Sequence, residues 1–157
     1  MTDDSRTVLI CYDGSEHAAH AIAVTAELFP AAQAYVLNVW EPLERIIARY
    51  AALGSYVGDA VGEADASIEA EATSLATAGV QLANAAGLHA TAHTASLRTT
   101  VWEVVVEVAE TLEVDVIITG TRSLHGVREV FSNTLSHALL QHSERAVLAI
   151  PMVVSAA

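Results

Sequence analysis

The sequence predicts an α/β fold: a doubly wound domain over residues 1–157, with five parallel strands and helices on both faces. Three observations predict it. Short, β-branched apolar runs alternate with stretches of helical periodicity in the order β-α-β-α-β-α-β-α-β, and such alternation folds as a parallel sheet with right-handed crossovers. Hydrophobic residues make up 53% of the chain but aromatics only 5%, so the core is built mainly of Ala, Val, Leu and Ile. A chain of 157 residues buries one such core without disulfide or metal staples.

Each element has its own warrant. Residues 7–12 (TVLICY), 34–40 (AYVLNVW), 115–119 (DVIIT) and 146–154 (AVLAIPMVV) are nearly continuous apolar runs, as strands covered on both faces should be. Residues 89–95 (HATAHTA) alternate instead and predict a half-exposed edge strand. Pro151 inside the last run places that strand at a sheet edge too, because proline cannot donate to a ladder. Helices are predicted where apolar residues recur every three to four positions. Residues 15–29 align Ala18, Ile22, Ala26 and Phe29, and residues 59–86 align Ile68, Ala72, Leu75, Gly79, Leu82 and Ala86. Val101, Val104, Val105, Val108 and Leu112 form a third stripe, and residues 133–142 a fourth with Leu135, Ala138 and Leu139. Residues 41–58 are predicted to be one irregular connection, long enough for a lid or binding loop.

Composition excludes several function classes. Seven arginines, no lysine and 19 acidic residues give a net charge of −12. Nucleic-acid binding rests on cations that neutralise phosphates, so neither nucleic acid nor an anionic membrane is an expected partner. Any bound phosphate must be held by backbone N–H groups, hydroxyls, a metal ion or an arginine. The lone cysteine, Cys11, rules out an internal disulfide, fits a reducing cytoplasm and is expected to be a small buried side chain. The acidic start MTDDSRT lacks signal-peptide architecture, and no apolar run is long enough to span a membrane, so a cytoplasmic location is expected.

Two strand ends carry the chemistry. The first is Asp13-Gly14-Ser15, where Asp13 is either a carboxylate facing a ligand or part of an ordinary turn and cap. The second is GTRSLHGVREVFSNT, residues 120–134, which follows Thr119 at the end of the fourth apolar run. A helix starting near Asn133 points free N–H groups at an anion, Thr134 adds a hydroxyl, and Gly120 allows close backbone approach. Arg122 and Arg128 are the cations nearest this loop in sequence. The seven histidines form no HExxH pattern, and no metal site or catalytic residue is assigned.

These residues resemble a universal stress protein along nearly the whole chain: Asp13-Gly14-Ser15 after the first strand, then Gly120, Gly126-Val127-Arg128, Asn133-Thr134 and a final AVLAIP strand. The resemblance implies strand order 3-2-1-4-5. Nucleotide-binding relatives carry G-x2-G-x9-G-[ST] here, whose backbone holds ATP phosphates. In this chain Gly120 fills the first glycine, Ser123 stands at the second, Asn133 at the third, and Thr134 at the hydroxyl. Asp13 matches the acid near the ribose, and Val39 the main chain that meets adenine. The implied site is therefore Asp13, Val39, Thr119, Gly120, Arg122, Ser123, Asn133 and Thr134. Asn tolerates positive φ better than other non-glycine residues, whereas a strained Ser123 would cost about 1–2 kcal/mol, weakening a site by roughly 5–30-fold.

The resemblance also implies a homodimer joined through the last strand, from Ala146 to Val154, that binds ATP with or without magnesium and regulates an unknown protein partner. The alternative is a nucleotide-free dimeric scaffold, which the two replaced glycines favour. Catalysis would amount at most to slow ATP hydrolysis.

Overall fold

The computed structural model describes residues 5–52, 61–122 and 135–152, with the side chains of residues 61, 62 and 122 left out. The elements are β1 (Thr7–Cys11), α1 (Glu16–Leu28), β2 (Gln33–Trp40), α2 (Leu43–Ala51), α3 (Val61–Ala85), β3 (His89–Ser96), α4 (Val101–Thr111), β4 (Val116–Arg122), α5 (Leu135–His142) and β5 (Ala146–Met152). The five strands form a parallel sheet in the order β3-β2-β1-β4-β5, the predicted arrangement. The two strands expected at the edges, HATAHTA and the Pro151 strand, are the edges.

Strand alternation divides the core in two. Val8, Ile10, Tyr12, Val36 and Ile118 face α1 and α3, where Ala18, Ala21, Ile22 and Ala83 meet them. Leu9, Leu37 and Ile117 face the other way, against Val104, Val105, Val108 and Ala109 of α4 and Leu139 of α5. Small residues let the long helix lie close to the sheet. A Cβ on Gly79 would come within 2.7 Å of Val36 Cγ1 and 2.8 Å of Tyr12 Cδ1.

Three expectations need correction. Residues 41–58 are not wholly irregular, because α2 occupies Leu43–Ala51. None of its residues is buried, and it is held by polar ties that no apolar stripe would reveal. Asp65 Oδ1 accepts from Leu43 N at 2.6 Å, and the Arg45 guanidinium donates to the carbonyls of Arg98 and Thr99. The stripe of α3 also runs differently. Ala72, Ala76 and Ala83 are buried while Leu82 is 44% exposed, since an alanine-rich helix packs its smallest face closest to a sheet. Lastly, β4 continues past Thr119, with Gly120, Thr121 and Arg122 paired to Ile150, Pro151 and Met152. Sheet pairing overrides the loop-like composition of those three residues.

The start of α4 is fixed by a capping box. Glu103 N donates to Thr100 Oγ1 at 3.4 Å, while Thr100 N donates to Glu103 Oε2 at 3.0 Å. Replacing Thr100 with Ala should destabilise the fold by about 1 kcal/mol, read as a lower urea midpoint with unchanged slope.

Candidate functional site

β1 is shorter than its neighbours at the carboxyl end of the sheet. Its pairing with β2 stops at Cys11 opposite Leu37, whereas β2 continues beside β3 to Trp40 opposite Ser96. On the other side, pairing of β1 with β4 stops at Ile10 opposite Ile118, whereas β4 continues beside β5 to Arg122. A notch therefore opens above β1. The chain leaves β1 toward α1 on one face, while α5, which follows β4, packs on the other. This divergence is the switch point where parallel sheets bind ligands.

A cavity of about 740 Å³ fills the notch, within the range of small-molecule sites. Cys11, Asp13 and His17 bound it on one side, Leu37, Asn38 and Val39 on another, and Thr119 to Thr121 on a third. α4 contributes Val101 and Val105, and α5 contributes Leu135, Ser136, His137 and Leu140. Of the eight residues predicted for the site, Asp13, Val39, Thr119 and Gly120 are brought together here. Arg122 ends β4; its side chain, and all of Ser123, Asn133 and Thr134, lie outside the described residues.

Asp13 serves as turn former and as an exposed carboxylate at once. Its Oδ1 accepts from Ser15 N at 3.0 Å and from the Ser15 hydroxyl. Ser15 Oγ in turn accepts from Ala18 N at 3.3 Å and caps α1. Gly14 takes φ +82°, which a side chain would strain. Partial burial pulls the Asp13 carboxyl upward, but the Ser15 hydrogen bonds and nearby His17 outweigh it and hold the group below its ordinary value. An ionised acceptor thus stands at the cavity mouth. Cys11 behaves oppositely: it is half-buried rather than fully buried, and burial, with Asp13 adding to it, pushes its thiol up to about 12. A thiol so raised is a poor nucleophile.

Gly120 has a role the sequence reading did not assign. A Cβ there would lie 2.3 Å from the carbonyl oxygen of His17 and 3.1 Å from Ala18 N, both backbone atoms of α1. The glycine is required for the first turn of α1 to settle on β4, whatever the cavity holds.

Asn38 was missed. It is buried, lines the cavity and donates from Nδ2 to the Tyr12 carbonyl at 2.9 Å, tying β2 to the chain just beyond β1. Its signal was visible: one amide within the apolar run YVLNVW. The Ser136 and His137 contributions had no comparable signal. Among the described residues no group of three potential ligands for a metal occurs, and no helix is long and apolar enough to cross a membrane.

The sequence matches the universal stress protein family over residues 5–151. The chain belongs to that family. No individually curated protein matches it in sequence. Among solved structures, a universal stress protein family member from Burkholderia pseudomallei is similar at 18% identity and TM-score 0.69, over 93% of this chain and 96% of that one. A family protein from Arabidopsis thaliana with AMP bound is similar at 14% identity and TM-score 0.63, over 95% and 93%. The universal stress protein from Archaeoglobus fulgidus in complex with dAMP follows at 13% identity and TM-score 0.59, over 93% and 97%. At these identities the likeness is one of fold, and it spans more than nine-tenths of this chain.

Two outcomes follow. Gly120→Ala should destabilise the ligand-free protein by about 1–3 kcal/mol in urea denaturation; an unchanged midpoint would return Gly120 to a role in ligand approach alone. Because the Asp13 carboxyl titrates lower in the folded than in the unfolded chain, its contribution is present above the ordinary carboxylate range and lost as pH falls through the folded value. An Asp13→Asn variant should therefore show a shallower loss of melting temperature on acidification than the parent protein.

Proposed function

We propose that this universal stress protein binds an adenine nucleotide in the notch above β1 and acts as a nucleotide-dependent regulatory dimer. The observation that carries the reading is the cavity itself: about 740 Å³ at the switch point, with an ionised carboxylate at its mouth. The end of β2, beyond its pairing with β1, leaves main-chain groups near Val39 available to the edge of a base. Val101 and Val105 of α4 supply apolar surface for its faces, and Asp13 can accept from ribose hydroxyls. The neighbours solved with AMP and dAMP support the same class of ligand. Arg122, Ser123, Asn133 and Thr134 come later in the same motif and are assigned to the phosphates together with Thr119 and Gly120, which line the cavity. ATP with or without magnesium, the ligand expected from the motif, falls within this class.

β5 runs along the sheet edge from Ala146 to Met152 and pairs only with β4 among the described strands. Its outer edge offers unpaired backbone groups to a second copy, so we assign the dimer contact to it. The lone cysteine supports a cytoplasmic setting. One observation favours a second reading, a nucleotide-free dimeric scaffold: Ser123 and Asn133 stand where nucleotide-binding relatives have glycine.

Heat denaturation of the purified protein, followed by chromatography of the supernatant, separates the two. The nucleotide reading expects a near-stoichiometric adenine nucleotide, with affinity in calorimetric titration weakened about tenfold or more in Asp13→Ala, as loss of a charged hydrogen-bond acceptor should produce. Absence of released nucleotide, together with no heat of binding at millimolar AMP or ATP, would leave the scaffold.

A further inference from the structure

At the carboxyl end of the sheet, the bonding between the first two strands of the chain finishes on a side chain. The last backbone bond is from Tyr12 N to the Leu37 carbonyl, at 2.8 Å. In a parallel pair, the N–H and the C=O of one residue bond residues two apart on the neighbouring strand. The next bond in that series would run from Val39 N to the Tyr12 carbonyl. Asn38 Nδ2 takes that carbonyl instead, at 2.9 Å.

Val39 is left with its main-chain groups toward the notch. Along β2 these groups alternate between the two neighbouring strands. The Leu37 carbonyl bonds on the β1 side, through Tyr12, and the Trp40 carbonyl on the β3 side, through Leu97; Val39 shares the side of Leu37. The β1 ladder ends at Cys11 opposite Leu37, and among the described residues no turn or loop group bonds the Val39 N–H or carbonyl. Val39 also lines the cavity, so a donor and an acceptor of one residue stand together at its wall. Asn38 is only 7% exposed, which gives its amide little room to leave the Tyr12 carbonyl.

Resting on the adenine-nucleotide reading above, we propose that Asn38 is a positioning residue for that site: by occupying the Tyr12 carbonyl it keeps the Val39 N–H and C=O unpaired for the edge of a base. It acts through the main chain of its neighbour. Without the amide, Val39 N and the Tyr12 carbonyl satisfy each other, the ladder gains a bond and the base loses a partner. Folding changes little, because one neutral hydrogen bond replaces another.

The tests are amide hydrogen exchange of the ligand-free protein, followed residue by residue by NMR, and calorimetric titration with AMP and inosine monophosphate. Both are made on the parent and on Asn38→Val. In the parent the Val39 amide should exchange at least tenfold faster than that of Leu37, which lies within the β1 ladder; in the variant it should slow toward the Leu37 rate. Adenine presents an acceptor, N1, beside a donor, its amino group, and hypoxanthine reverses the two. The parent should bind AMP on the order of tenfold more tightly than inosine monophosphate, as one or two hydrogen bonds to the base provide. Asn38→Val should lose AMP affinity until the two ligands are alike. A Val39 amide already as protected as Leu37 in the parent, or unchanged in the variant, would overturn the role of Asn38. A variant that keeps the parent's preference for AMP, or weakens both ligands equally, would overturn it too and leave nucleotide binding intact. If neither ligand binds the parent, the nucleotide reading falls and Val39 as a base contact with it. Asn38→Ala, which adds no bulk, carries the same expectations should the valine variant fail to fold.

Discussion

The end of the central strand governs the carboxyl edge of this sheet. β1 stops because Asp13 accepts from both the backbone and the hydroxyl of Ser15, which turns the chain through Gly14 into α1. The flanking strands obey no such stop. β2 and β4 run on beside their outer neighbours, and the missing length of β1 becomes the notch. Asn38 then donates to the Tyr12 carbonyl, just beyond the last residue of β1. A buried carbonyl left without a partner would cost about 1–3 kcal/mol. The same short motif therefore ends a strand, starts a helix, opens a cavity and leaves an ionised carboxylate beside it.

That convergence explains why the first-turn acid is hard to classify from sequence. The alternatives of ligand-facing carboxylate and ordinary cap are not exclusive, since one oxygen, Oδ1, takes both Ser15 bonds. Gly120 teaches the converse. It was read as a glycine for ligand approach, yet its missing Cβ makes room for the backbone of His17 and Ala18. Positioning α1 on β4 is what brings Asp13 and Gly120 to the lining of one cavity, so a packing requirement underlies the spacing that the motif records.

Legibility followed the kind of force involved. Strands and the α1 and α4 stripes were readable because burial imposes a period on the sequence, and Pro151 and the alternation of HATAHTA marked the edges through backbone chemistry. Where structure rests on isolated polar ties, no period exists to be read. α2 is held by Asp65 and Arg45 across contacts distant in sequence, with the Arg49–Glu41 pair beside them, so it was taken for irregular chain. α3 was misread for a different reason: alanine gives little contrast between faces, and Leu82 proved to be on the outside. In the site, Asp13, Val39, Thr119 and Gly120 were legible from turn chemistry and motif, while Ser136 and His137 enter only because α5 packs across the far side of β4.

The arginines show how the fold draws on a small supply of fixed positive charge. Arg45 and Arg145 satisfy backbone carbonyls, and Arg49 and Arg98 answer acidic neighbours, so the fold itself draws most of the small supply of cations away from the notch. In a chain rich in lysine the same ties would leave the site's charge unaffected. Here four of the seven arginines are engaged in such ties, while Asp13, which the turn requires, sets a negative charge at the cavity.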